Sequence, residues 1–172
     1  MIFFYHVFSV FAILVVVPCF ALYSLFSRNK WRRLSDHFGL VSLSDKTEST
    51  PKTIWFHAIS LGEVVGVTPT IRLLKKSRPQ DRIVISVTTD SGFEAAKRKL
   101  PDVDSIFFFP LDCFVFTWTA LKKIDPDLFV LVETGFWPGF IHLLHLKGVP
   151  ILLFNGRISS RSMRKYKIFS PF

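Results

Sequence analysis

The stretch TIWFHAISLGEVVGVTPTIRLLKK, residues 53 to 76, passes from a strand pattern to a helix pattern within a few residues. TIWFHAI, 53 to 59, is apolar and holds β-branched and aromatic side chains, which suits a strand buried on both faces. From Glu63 to about Lys76 the apolar residues Val64, Val67, Ile71 and Leu74 fall on one face of a helix. The junction holds Ser60, Leu61, Gly62 and Glu63. Gly62 permits a tight turn there and the close approach of a ligand. Glu63 stands at a helix start, where the helix dipole favours the ionised carboxylate. An ionised carboxylate at a crevice is a candidate general base. A helix-start acid that only complements the dipole is the alternative, and the junction alone leaves both open.

The same rhythm repeats down the chain. RIVISVTT (82 to 89), SIFFFP (105 to 110), LFVLVE (128 to 133) and PILLF (150 to 154) are further apolar runs. Helical spacing occupies 93 to 100, 114 to 124 and 137 to 147 between them. Alternation of this kind implies right-handed parallel crossovers and an α/β, Rossmann-like, doubly wound parallel sheet. Ligands bind beyond the carboxyl ends of the strands in such sheets. Those ends carry Ser60, Gly62 and Glu63, then Thr89, Asp90, Ser91 and Gly92, then Asp112, then Glu133 and Gly135, then Asn155, Gly156 and Arg157. Turns ask for Gly, Asn, Asp and Ser. They do not ask for Glu, and Glu63 and Glu133 both stand there.

The 172 residues carry a formal net charge of +9 and are 49% hydrophobic. Mean hydropathy is +0.37. The positive excess suits an acidic partner such as anionic lipid, phosphate or nucleic acid. Two cysteines, Cys19 and Cys113, make neither a disulfide framework nor a metal set.

Much of the hydropathy lies at the start. Residues 2 to 26, IFFYHVFSVFAILVVVPCFALYSLF, contain no Asp, Glu, Lys or Arg. A transmembrane helix needs roughly 20 apolar residues, and Pro18 is tolerable within one. A cleaved signal peptide fits less well, because the run is too long and no basic segment precedes it. Arg28, Lys30, Arg32 and Arg33 follow at once and place the rest of the chain in the cytoplasm. They can also meet anionic headgroups, or serve topology alone. Residues 41 to 52, VSLSDKTESTPK, are polar, aperiodic and linker-like. The chain therefore divides into an anchor (1 to 27), a basic juxtamembrane segment and linker (28 to 52), and a Rossmann-like domain (53 to 172). An anchored domain points away from nucleic acid as its partner.

Neither GxGxxG after a strand nor GxxxxGK occurs, so the usual dinucleotide and P-loop fingerprints are missing. His142 and His145 share a helix without a third metal ligand. RISSRSMRKYK, from Arg157, is basic enough to grip phosphate, or to form a solvated helix face.

HAISLGE, VTTDSG, VETGFWP and NGRISSRS, in that order and on strand ends, resemble the N-terminal domain of the 3-deoxy-D-manno-octulosonic acid (Kdo) transferases. These are membrane-anchored enzymes that add Kdo to a lipid A precursor in Gram-negative bacteria. The resemblance covers about residues 27 to 172. It implies the N-terminal half of a GT-B fold, two Rossmann-like domains flanking a cleft. It implies CMP-Kdo as donor, inversion at the anomeric centre, and no metal or other cofactor. It implies that this domain receives the lipid acceptor at the inner membrane. It makes Glu63 the general base and puts Glu133, Arg157 and Ser159 in the active-site region, with Ser60, Gly62, Thr89, Ser91 and Gly92 in the matching motifs.

The chain departs from the family pattern in three places. Gly135 stands where the family has an acid, Gly156 where it has alanine, and Ser91 where it has threonine. The family also continues into a second domain that carries the nucleotide-sugar site. The expectation is a truncated or split form, inactive alone, with the donor domain supplied in cis or in trans. A non-catalytic, membrane-anchored module that binds anionic lipid or a protein partner is the alternative.

Overall fold

The structure, a computed structural model, describes residues 28–43, 52–133 and 135–156, together with Pro18. The apolar run at the start lies outside this set, as do Arg157 and Ser159. Among the described residues no helix is long and apolar enough to cross a membrane.

Five strands alternate with helices as the periodicity predicts. After helix α1 (Arg28–His37) come β1 (Thr53–Ala58), α2 (Leu61–Ser77), β2 (Arg82–Val87), α3 (Asp90–Lys99) and β3 (Ser105–Phe108). They are followed by α4 (Phe114–Ile124), β4 (Leu128–Val132), α5 (Pro138–Leu146) and β5 (Ile151–Phe154). The strand order is β3-β2-β1-β4-β5, and every pairing is parallel. Central β1 is buried along its whole length. Alternate residues serve two cores. Ile54, Phe56 and Ala58 pack with Val64, Val67 and Ile71 of α2 and Phe93 of α3. Trp55 packs on the other face with Leu121 of α4 and Phe140 and Leu143 of α5. Trp55 meets the rings of Phe107, Phe129 and Phe140 at 4.9–5.6 Å, spacings at which tilted aromatic pairs attract.

Strand ends that a parallel sheet leaves without partners are met by aspartates. The N–H groups of Thr53, Ile83 and Phe108 donate to the carboxylates of Asp127, Asp104 and Asp36 at 2.8, 2.8 and 3.0 Å. The pattern of burial on both faces stops at β5. Among the described residues it is an edge strand with one neighbour, and Ile151, Leu152 and Leu153 are 40%, 51% and 42% exposed.

Segment 28–52 differs from the juxtamembrane-and-linker expectation in its described part. Leu34, Asp36 and Val41 are buried against the domain. The reason is a second set of contacts behind the basic residues. Asp36 takes the Phe108 N–H, His37 Nδ1 lies 2.8 Å from the Phe109 carbonyl, and Leu111 N–H donates to the His37 carbonyl. Arg33, expected at lipid headgroups, is turned onto the domain. Its Nη1 donates to both carboxylate oxygens of Asp90, at 2.8 and 2.9 Å, and the guanidinium lies 4.8 Å from the centre of the Phe108 ring. The side chains of Arg28, Lys30 and Arg32 lie outside the described set.

The chain leaves α1 through Gly39, whose φ of +76° is left-handed and whose added Cβ would overlap the Phe116 carbonyl oxygen. Gly66, inside α2, has nothing within 4 Å of such a Cβ. We therefore expect Gly39→Ala to lower stability by about 1–3 kcal/mol. Gly66→Ala should raise it by roughly 0.5–1 kcal/mol, the ordinary helix-interior difference. Urea midpoints of the two variants should move in opposite directions.

Candidate active site

Strand order reverses at β1. From there the chain runs outward through β2 and β3, then returns to β4 on the other side. Doubly wound sheets bind ligands at such a switch point, beyond the carboxyl ends of the two strands. The residues facing each other across it are 59 to 63 after β1 and Glu133, Gly135 and Trp137 after β4.

Glu63 occupies the third position of α2 and is 9% exposed. Both carboxylate oxygens are held. Oε2 accepts the Ile59 N–H at 2.6 Å and Oε1 accepts the Ser60 hydroxyl at 3.1 Å. Ser60 itself starts the helix without a side-chain cap bond. The glutamate thus reaches back in the manner of a capping box, one residue further than usual. Burial pushes the Glu63 carboxyl above the usual carboxylate range; the two hydrogen bonds oppose this, and the nearby charge of Glu133 adds to it. The expectation of a helix-start carboxylate favoured by the dipole leaves this burial out.

Gly62 does not make the tight turn expected of it. Its φ is not positive, and a Cβ there would meet only Ser60 Oγ, at 3.9 Å. The fold tolerates a side chain at this exposed position, so the space above it is open to a ligand.

Glu133 leaves β4 with φ of 61°, a left-handed conformation that a non-glycine residue adopts at a cost of roughly 1–2 kcal/mol. Its N–H still bonds the Phe154 carbonyl at 2.8 Å. The strained residue is thereby pinned at the strand end. Gly135 approaches the first wall closely, since a Cβ on it would overlap Ile59 Cδ1. An acid at this position would require Ile59 to move.

Thr89 and Gly92, singled out with the substrate-binding set, bond each other. Thr89 Oγ1 accepts the Gly92 N–H at 3.1 Å, capping α3, and donates to the Ile59 carbonyl at 3.2 Å. Gly92 lets α3 approach the β1–α2 turn, with its notional Cβ 3.4 Å from the Ser60 carbonyl carbon. These two shape the wall. Ser91 is exposed beside them, its hydroxyl 3.3 Å from Thr89 Oγ1.

Sequence reasoning gave no role to His57 or Trp137. His57 is fully buried in β1. Its Nε2 accepts the Trp137 indole N–H at 3.0 Å, and its Nδ1 lies 3.0 Å from Ser86 Oγ. Trp137 can only donate, so Nε2 is bare and the proton sits on Nδ1, pointing at Ser86. Ser86 also accepts the Trp55 indole N–H at 2.8 Å. Burial lowers the His57 pKa to about 3, so the imidazole is neutral. The legible signal was a histidine inside an otherwise apolar buried strand, which must find polar partners.

A sequence profile described as 3-deoxy-D-manno-octulosonic-acid transferase (kdotransferase) matches residues 32–172. The chain belongs to the Kdo transferase family. It is 31% identical over 152 residues to the 3-deoxy-D-manno-octulosonic acid transferase of Haemophilus influenzae, covering 88% of this chain and 35% of that protein. The Chlamydophila psittaci protein of the same name is 30% identical over 172 residues, 99% of this chain and 39% of its own length. A bifunctional glycosyltransferase/methyltransferase of Fusobacterium nucleatum is 38% identical over 155 residues, 85% of this chain and 23% of its own. The chain thus spans little more than a third of the Haemophilus and Chlamydophila relatives, and the Kdo transferase match is to the N-terminal domain.

The raised Glu63 pKa has a stability consequence with a definite sign. A native state that holds this proton more tightly than the unfolded chain is favoured at acid pH. That contribution is lost as pH rises through the raised pKa. Glu63→Gln cannot ionise, yet its amide can accept from Ile59 and donate to Ser60. At about pH 7 the variant should be at least as stable as the parent, and the difference should shrink by about pH 4, near the ordinary carboxylate range. Paired urea titrations at the two pH values check this.

Proposed function

We propose that this chain forms the acceptor-side half of a Kdo transferase, with Glu63 as the general base. Glu63 removes the proton of the acceptor hydroxyl as that oxygen attacks the anomeric carbon of CMP-Kdo. The bond to the CMP phosphate breaks, CMP leaves with the electron pair, and the anomeric centre inverts. The acceptor is a lipid A precursor, and no metal or other cofactor takes part. What carries this reading is the bonding of Glu63, both of whose oxygens are fixed by the chain while it faces Glu133 across the switch point. A carboxyl raised above its usual range is a stronger base nearer neutral pH. Repulsion from Glu133 raises its proton affinity further, and uptake of the proton relieves that repulsion.

The reading assigns CMP-Kdo to a second domain outside these 172 residues, in the same polypeptide or a separate one. Arg157 and Ser159 extend the site beyond β5. Residues 2 to 26 anchor the domain in the inner membrane with the fold on the cytoplasmic side. Alkaline carbonate should leave the protein in the membrane pellet, and release to the supernatant would remove the anchor from the proposal.

The catalytic test joins this chain to the remaining length of a family member and follows transfer from CMP-Kdo to lipid A precursor. Glu63→Gln should lower the rate ~10²–10⁴-fold, the usual contribution of a general base. Retention of more than about a tenth of the rate would exclude Glu63 from that role and leave Glu133 as the candidate. Absence of transfer by the parent fusion under any condition would favour a non-catalytic module.

A further inference from the structure

His57 does not reach the crevice, yet it holds Trp137, a side chain that ties the second wall to the sheet. Trp137 begins at the end of the Glu133–Trp137 turn, immediately before α5. Its indole stacks on Phe109 with centroids 5.3 Å apart and 27° between planes. That stacking fixes the plane of the ring, and the bond to His57 Nε2 fixes its direction within the plane. His57 is itself fixed from both sides. Phe109 lies 4.1 Å away, centroid to centroid, and Ser86 holds Nδ1. The turn so anchored carries strained Glu133 and brings Gly135 against Ile59. Ile59 is the residue whose N–H bonds Glu63. A continuous set of contacts therefore runs from His57 through Trp137 and Gly135 to Ile59 and Glu63.

We propose that His57 is a positioning residue: its neutral Nδ1–H imidazole locks the Trp137 indole and thereby sets the turn that places Glu133 against Glu63. This rests on the Glu63–Glu133 site described above. It does not require that the site transfer Kdo. Apolar packing alone would hold half-buried Trp137 in its slot but would leave its N–H, which faces fully buried His57, without an acceptor, a cost that folded proteins rarely carry. The serine beneath His57 decides the tautomer. Ser86 already receives the Trp55 N–H and lies 3.4 Å from the Phe56 carbonyl, to which its own proton is directed. Its oxygen is thus left to accept from Nδ1–H.

The test uses the full 172-residue chain in detergent, labelled with ¹⁵N at tryptophan and histidine and ¹³C at the glutamate carboxyls. Trp137→Phe assigns the indole signal. The histidine nitrogen shifts should report the Nδ1–H form of His57, unchanged from about pH 8 to pH 5, a range that spans the ordinary histidine pKa. In His57→Phe, protection of the Trp137 indole proton against exchange should fall about five- to tenfold, the worth of one net hydrogen bond. Trp55, fully buried and bonded to Ser86, should keep its protection. The Glu63 carboxyl should at the same time titrate lower as Glu133 moves away. His57→Gln, whose amide oxygen can accept from the indole, should restore most of the Trp137 protection.

An Nε2–H tautomer, or a Glu63 titration unmoved in His57→Phe, would overturn the proposal. Equal loss of protection at Trp55 and Trp137 would reduce His57 to a core residue and overturn it as well. None of these readouts depends on sugar transfer. A transferase reading that fails leaves the lock standing, and a lock that fails leaves the transferase reading standing.

Discussion

The peptide groups around Ile59 are the point on which the site is assembled. The Ile59 N–H donates to Glu63. Its carbonyl receives the Thr88 N–H, the Thr89 N–H and the Thr89 hydroxyl. One residue past the end of β1 therefore fixes the candidate base, the cap of the neighbouring helix and the distance between two strand ends. Its side chain meets Gly135 from the other wall. Few positions could change their backbone direction with more effect on the crevice. The arrangement also explains why the turn needs little intrinsic rigidity from Gly62. The hydrogen bonds supply it.

The sheet was legible because its strands are long apolar runs at regular intervals, and each helix carries its own apolar face. Strand and helix ends fell within a few residues of expectation for that reason. The site was legible in outline, since Glu63 and Glu133 are residue types that turns do not require. What was hidden depended on distant partners. Arg33 sits in a basic cluster and looks like a headgroup contact until Asp90, far along the chain, is brought beside it. Leu34 in helix α1 and Phe38 just past its end stand four residues apart, but the charges around them obscured the spacing. The edge position of β5 could not be read at all. An apolar run looks the same in the centre of a sheet and at its border.

Electrostatics of two buried titratable groups, His57 and Glu63, follow one rule with opposite results. Burial keeps His57 neutral by lowering its pKa, and it pushes the Glu63 carboxyl toward neutrality by raising its own. The histidine is deep in the sheet, where neutrality serves geometry. The glutamate is at the mouth, where a reluctant charge suits the proton transfer proposed for it. The same low-polarity strand end thus yields a neutral imidazole acceptor at one residue and a carboxyl of raised proton affinity six residues later.

The placement of β1 at the centre of the sheet has a consequence for synthesis. Its first partner, β2, is made soon after it, but its second partner, β4, lies about 70 residues further on, which takes roughly 4–14 s at 5–20 residues per second. During that interval the β1–β2–β3 unit presents β1 as an open border, with Trp55 and Phe56 on its two faces and a row of unpaired main-chain groups between them. Such a border accepts any strand that reaches it first. Arrival of β4 closes it and in the same step brings Glu133 opposite Glu63. Protection from mispairing and completion of the crevice are therefore one event on the ribosome's clock.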